Sequence, residues 1–232
     1  MSANDRSIPS LMAVTMTLFG VTWKRLLRGR ALWVCALIAA LPALVAFGLR
    51  GDRDMAELMR FAQFRVMAIL PPIFVASSIG EEIEDRTITY MWSRPIARWS
   101  LLLGKIATLA PVAAVLSAAG WAIATVITGK PINPQELAAF ALGSVAVSLI
   151  AAGIATLVPK QGMALAIIYL VVVDPTMGSI PASIREISVT KQVWLMSGLN
   201  TDGSATRATI TLVILAGIWL AIGLARIRRL ES

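Results

Sequence analysis

The sequence has no histidine and only one cysteine, Cys35. Without histidine there is no imidazole to activate a serine or cysteine nucleophile and no histidine-ligated metal site. A lone cysteine excludes an intrachain disulfide, and no G-x-x-x-x-G-K-[ST] loop is present to hold nucleotide phosphates. We therefore expect a non-catalytic chain that has no cofactor-binding or metal-binding residues of its own.

Charged residues are also scarce. They make up 15% of the 232 residues, whereas 57% are hydrophobic and the mean hydropathy is +0.77. A soluble domain is nearer 45–50% apolar, and here the charges are segregated so that apolar runs of about 20 residues remain. This composition predicts an all-α membrane protein. No Ser/Gly-rich linker divides the chain, so we expect a single transmembrane domain over residues 1–232.

The apolar runs predict six membrane spans. Pro42 interrupts the first, Pro71-Pro72 is expected to kink or break the second, and Asp174-Pro175 is expected to break the fifth. Lys105, near the start of the third, is expected to extend towards the membrane interface. The predicted spans are 31–49, 57–79, 101–128, 137–158, 162–175 and 208–225.

Two further segments flank these spans. Residues 11–28 place Met16, Phe19 and Trp23 on one helical face and a basic cluster at the end, which predicts an amphipathic helix in the membrane interface. The alternative is that this segment extends the first span. Residues 176–207 form the longest connection between spans, and its apolar anchors predict a short helical or re-entrant segment on the outer leaflet.

The net charge of +8 follows from basic residues beside the apolar runs, which is typical of topogenic charge and not of nucleic-acid binding. With the N-terminus in the cytoplasm, inner segments hold thirteen basic residues and outer segments hold seven; Arg65, within span two, completes the total of 21. The positive-inside rule therefore predicts that both termini are cytoplasmic. The thirteen are Arg6, Lys24, Arg25, Arg28, Arg30, Arg86, Arg94, Arg98, Lys105, Lys160, Arg226, Arg228 and Arg229.

Small residues recur every fourth position in two spans. Ser144, Ser148, Ala152 and Thr156 do so in span four, and Gly217 and Ala221 do so in span six. Such stripes let helix backbones approach closely. Packing within the bundle and packing between subunits both fit this pattern.

Asp174 is the one acidic residue that lies deep in an apolar run. It has two interpretations: a polar residue on a translocation path, or an N-cap or turn residue before Pro175. The first would suit an ion-coupled secondary transporter, which needs ionisable groups at mid-membrane. An intramembrane hydrolase is excluded because the spans contain neither histidine nor paired carboxylates.

A dense charged block lies between spans two and three, at residues 80–100. Its acidic residues come first and its basic residues come last, an order that suits a helix dipole and predicts a helix–turn–helix broken at Pro95. An ordinary solvated loop is the simpler interpretation. The aromatic residues Tyr90, Trp92 and Trp99 among the charges instead favour a surface that contacts a protein partner.

Three runs, two in this block and one just after it, resemble the cytoplasmic loop of ABC-2-type transporter permeases. They are Glu-x-x-x-Asp-Arg-Thr-Ile-Thr from Glu81, Ser-Arg-Pro-Ile-Ala-Arg from Ser93, and Leu-Gly-Lys ending at Lys105. Arg86 stands where the family often has glycine. The resemblance assigns ATPase coupling to Glu81, Glu84, Asp85, Arg86, Thr87, Arg94, Pro95, Arg98, Gly104 and Lys105.

The resemblance implies a membrane subunit that pairs with a second permease copy and with two copies of a separate ATPase, which would bind ATP and magnesium. The block would contain a coupling helix that docks on the ATPase, in a multi-pass protein of the bacterial inner membrane. The compact length resembles the branch with nitrous-oxide-reductase-maturation and gliding-motility permeases, while multidrug and lipid exporters fit equally. Export of a substrate, motion transmitted to an extracytoplasmic accessory protein, and a non-transporting membrane anchor all remain open.

Overall fold

A computed structural model describes residues 11–49, 53–84, 98–181, 183–198 and 203–229. These residues are almost entirely helical and contain no β-strand. Six of the helical segments are long and apolar enough to cross a membrane, which confirms the all-α, six-span prediction. The six spans are Arg30–Gly48, Met55–Gly80, Leu102–Ile127, Pro134–Leu157, Pro159–Ser179 and Ala205–Arg228.

Span four lies at the centre of the bundle. It packs against spans two, three, five and six, and together with span two it is the most buried. Its stripe of Ser144, Ser148, Ala152 and Thr156 is buried, so these small residues serve packing within the bundle. In span six, by contrast, Gly217 and Ala221 lie exposed on the bundle surface.

The N-terminal helix, Leu11–Arg28, is separate from span one and packs along span three. Gly29 divides them because its extended backbone (φ −82°, ψ 146°) ends one helix before the next begins at Arg30. Span one itself consists of two helices, Arg30–Ala39 and Leu41–Gly48, and Pro42 occupies the first turn of the second. Proline is tolerated there because the first turn has no intrahelical acceptor for an N–H group.

Spans two and five continue through their prolines. Span two begins with Met55–Pro71, passes through a π-helical turn at Pro72–Ala76 and ends within the helix Ser77–Glu84, which continues beyond the span. Span five consists of the 3₁₀ turn Pro159–Gln161, the helix Gly162–Ile168, a π-helical turn at Tyr169–Val173 and the helix Asp174–Ser179.

The predicted break of span five at Asp174-Pro175 is therefore wrong, and the span extends to Ser179. Pro175 is accommodated because it occupies the first turn of the helix that follows the π-helical turn. A π-turn shifts the hydrogen-bond register by one residue, so the chain adapts to the missing N–H group without ending the helix.

The segment between spans five and six is helical, as predicted. It comprises the 3₁₀ turn Ser183–Ile187 and the helix Val189–Met196, which we term the connecting helix. Ser188 caps the connecting helix by accepting a hydrogen bond from the Lys191 backbone nitrogen. The Lys191 ammonium donates to the Glu186 carboxylate at 2.8 Å, and this bond lowers the pKa of Glu186 below its usual value.

Candidate functional site

The charged block is only partly within the described residues. Predictions for Asp85, Arg86, Thr87, Arg94 and Pro95 fall outside them and stay predictions. On the near side, Glu81 and Glu84 belong to the helix that continues span two, and on the far side Arg98 begins the long helix Arg98–Ile127. The block thus connects two helices that extend beyond the membrane-spanning segments.

The helix-dipole argument for the acidic residues is wrong. It placed Glu81 and Glu84 at the beginning of a helix, but they follow span two in unbroken helix from Met55. A carboxylate is stabilised by the dipole only within the first turn of a helix. The carboxylates of Glu81 and Glu84 therefore do not stabilise a helix N-terminus.

Lys105 lies inside the bundle and not at its surface. Its side chain is only 4% exposed, and its ammonium donates a hydrogen bond to the backbone carbonyl of Ser78. The expectation that Lys105 extends towards the interface is therefore wrong; a buried ammonium needs acceptors, and a span-two carbonyl supplies one. The bond joins span three to span two next to the charged block.

A second close contact joins span two to span five at the same end of the bundle. A Cβ atom at Gly80 would lie 2.9 Å from the carbonyl oxygen of Pro159, so only glycine allows the two backbones this approach. Gly104, in the turn before Thr108, is buried as well, and its carbonyl accepts a hydrogen bond from the Thr108 hydroxyl at 2.8 Å. Spans two, three and five thus meet tightly where the charged block begins and ends.

Asp174 is 1% exposed, and its carboxylate binds the start of the connecting helix. It accepts hydrogen bonds from the backbone nitrogens of Val189 at 2.7 Å and Thr190 at 2.9 Å, and from the Ser188 hydroxyl at 3.3 Å. Of the two interpretations from sequence, this geometry favours the structural one. Asp174 does not cap its own span, however; it caps the connecting helix from a neighbouring element.

The sequence did not single out Arg65, in span two, as a site residue. The Arg65 guanidinium donates to the backbone carbonyl of Val171, within the π-helical turn of span five, and lies 4.6 Å from the centre of the Phe61 ring. The signal in the sequence was the spacing of Glu57, Phe61 and Arg65, which places all three on one face of span two.

A family model described as ABC-2 family transporter protein matches residues 23–184. The match covers more than two thirds of the chain and includes the whole charged block. The chain belongs to the ABC-2 transporter family. A search of curated protein sequences finds no match to this chain.

Membership makes the chain an ABC-2-type permease, the membrane component of a transporter. The matched region contains the first five spans and ends within the 3₁₀ turn Ser183–Ile187. The connecting helix and span six follow the matched region. The part of the permease that matches the family model therefore includes the charged block and the spans on both sides of it.

Proposed function

We propose that this permease is the transmembrane subunit of an ATP-driven ABC transporter, coupled through residues 80–100 to a separate ATPase. The observation that carries the proposal is the family match across the entire charged block. No phosphate-binding loop of the P-loop type occurs in these 232 residues, and the proposal assigns the nucleotide site to a separate ATPase. The permease uses the energy from that ATPase to export a substrate or to move an extracytoplasmic partner.

The geometry around the block supports this role. Motion imposed on the block passes to span two through Glu84 and to span three through Arg98, because both residues lie in helices continuous with those spans. The Lys105–Ser78 hydrogen bond joins the two spans next to the block. The contact of Gly80 with Pro159 extends the connection to span five.

The proposed assembly contains two permease chains and two ATPase chains in the bacterial inner membrane, with both permease termini in the cytoplasm. The thirteen-to-seven distribution of basic residues supports this orientation, because it places the block on the side where ATP is available. An accessory extracytoplasmic protein would bind at the opposite end, where the connecting helix lies.

Co-purification tests the assembly. The tagged full-length chain is extracted from its native membranes in mild detergent, and the mass of the complex is measured by native mass spectrometry. We expect equal numbers of permease and ATPase chains, two of each. An isolated chain that transports without any ATPase would contradict the proposal and favour a secondary transporter.

A further inference from the structure

A cavity of about 370 Å³ lies between spans two and five and the connecting helix. Its volume is within the range of about 300–1,000 Å³ that small-molecule sites occupy. One face of span two supplies most of one wall. The residues of that face recur at helical spacing and combine charge with aromatic rings: Glu57, Arg60, Phe61, Phe64 and Arg65.

The aromatic part of the cavity wall is fixed before any ligand binds. The Phe64 ring lies 5.8 Å from the Trp194 ring of the connecting helix and 5.5 Å from the Phe140 ring of span four, measured between centroids. Phe140 is fully buried, so Phe64 is supported from behind. Packed rings of this kind hold one rotamer and present a preformed apolar surface.

Two arginines give the cavity an excess of positive charge. Arg65 is held by Phe61 and the Val171 carbonyl, and a guanidinium has five N–H donors, so most remain available. Arg60 is half-buried and makes no hydrogen bond or ion pair with another described residue. The nearby negative charges are Glu57, which is exposed, and Asp174, whose carboxylate already binds the connecting helix.

The depth of Arg65 adds to the argument. It follows Met55, the first residue of span two, by ten positions, which is about 15 Å at a helical rise of 1.5 Å per residue. Ionisable residues within transmembrane helices commonly face the bundle interior and mark a path or a binding site. A carbonyl and an aromatic face satisfy only part of its guanidinium.

We propose that this cavity binds an anionic amphiphile, with its anionic headgroup between Arg60 and Arg65 and its apolar chain along Phe61 and Trp194. These two rings are 56% and 43% exposed, so they line the mouth of the cavity where it opens at the surface of the bundle. That this ligand is the transported substrate rests on the permease function proposed above. The proposal that the cavity binds this ligand does not depend on the permease function.

Calorimetric titration of the purified full-length chain in dodecyl maltoside tests the chemistry with three probes. Decyl phosphate carries both the anion and the chain, decyl phosphocholine has the same chain with a cationic group added, and inorganic phosphate has no chain. We expect decyl phosphate to bind and the other two to bind at least about tenfold more weakly, because charge-assisted hydrogen bonds and chain burial both contribute. Equal binding of the two decyl compounds, or equal binding of inorganic phosphate, would overturn the proposal.

Arg60→Gln is the decisive variant because no hydrogen bond or ion pair to another described residue is lost with it. We expect it to weaken decyl phosphate binding about tenfold, because the phosphate loses its charge-assisted hydrogen bonds to the Arg60 guanidinium. Arg53→Gln removes an exposed arginine just before span two, outside the cavity, and should leave the affinity unchanged. Unchanged affinity in Arg60→Gln, or equal losses in both variants, would show that the cavity is not the site.

Nanodiscs then identify the source of the ligand. If phosphatidylglycerol displaces decyl phosphate and phosphatidylcholine does not, the natural ligand is a membrane lipid; if neither does, it is a soluble anion with an apolar chain. ATPase co-purification is measured on the same samples. If decyl phosphate binds but no ATPase co-purifies, only the proposed transporter function is refuted. If the ATPase co-purifies but decyl phosphate does not bind, only the proposed binding cavity is refuted.

Discussion

The carboxylate of Asp174, within span five, lies 2.7 Å from the backbone nitrogen of Val189, the first residue of the connecting helix. The same carboxylate accepts from Thr190 at 2.9 Å. The first N–H groups of a helix have no partner within that helix, and a negative charge beside them is favourable. Asp174 therefore fastens the end of span five to the segment that leads to span six.

Replacing Asp174 should unfold this connection without affecting the ATPase contact. Asp174→Ala leaves the buried N–H group of Val189 and the part-buried N–H group of Thr190 unpaired, so we expect a loss of at least about 1–3 kcal/mol in stability, the cost of one buried unpaired group. Thr176→Ala is the control, because Thr176 is exposed and its hydroxyl donates only to the Val172 carbonyl of the same span. Thermal unfolding in nanodiscs measures both. Normal stability combined with lost transport in Asp174→Ala would instead assign Asp174 to the translocation path.

Gly120 allows the closest approach between spans one and three. A Cβ atom there would lie 2.0 Å from the carbonyl oxygen of Ala39, which is backbone and cannot move aside, whereas a Cβ at Gly217 in span six would meet nothing within 4 Å. We expect Gly120→Ala to destabilise the bundle by at least about 1–3 kcal/mol, the usual cost of overpacking. Gly217→Ala should leave stability unchanged or raise it by up to about 1 kcal/mol, because alanine favours a helix more than glycine does. Equal unfolding temperatures for the two variants would contradict this packing.

The proposed orientation predicts which loops react from outside the cell. Lys130, between spans three and four, should face outward, and Lys160, in the 3₁₀ turn at the start of span five, should face the cytoplasm; both are exposed. In a Cys35→Ser background, a membrane-impermeant maleimide should label Lys130→Cys in intact cells and label Lys160→Cys only after permeabilisation. The reverse pattern would place both termini outside and would remove the charged block from the ATPase side.

The sequence predicted the number and kind of spans because a membrane imposes about 20 apolar residues on each crossing. It also predicted that Pro42 interrupts span one. Where a prediction from the sequence was wrong, the cause was a tertiary contact or a local change from α-helix to π-helix. Pro175 is absorbed by the π-helical turn Tyr169–Val173, and nothing in an apolar run distinguishes a π-turn from an ordinary helix.

Side-chain partners far apart in sequence could not be predicted from patterns. Lys105 looked like an interfacial lysine because it lies near the start of span three, yet it bonds to Ser78, 27 positions earlier. Asp174 looked like the cap of its own span, yet its partners are 14 to 16 positions later. Helical spacing reports which residues share a face, but not which neighbouring helix that face meets.

The central claim, that residues 80–100 couple the permease to an ATPase, is tested most directly by the double variant Arg94→Glu/Arg98→Glu. Reversing both charges places like charges in a contact where a pair contributes about 2–5 kcal/mol, which corresponds to at least about tenfold weaker association. Lys130→Glu, a charge reversal in a loop at the opposite end of the bundle, is the matched control. The measurement is the amount of ATPase that co-purifies with each variant, together with the ATPase rate in nanodiscs. The account predicts normal membrane insertion in all variants. Only in the double variant should the ATPase fail to co-purify, or hydrolyse ATP without coupling to the permease. Full ATPase binding and unchanged coupled activity in the double variant would contradict the account.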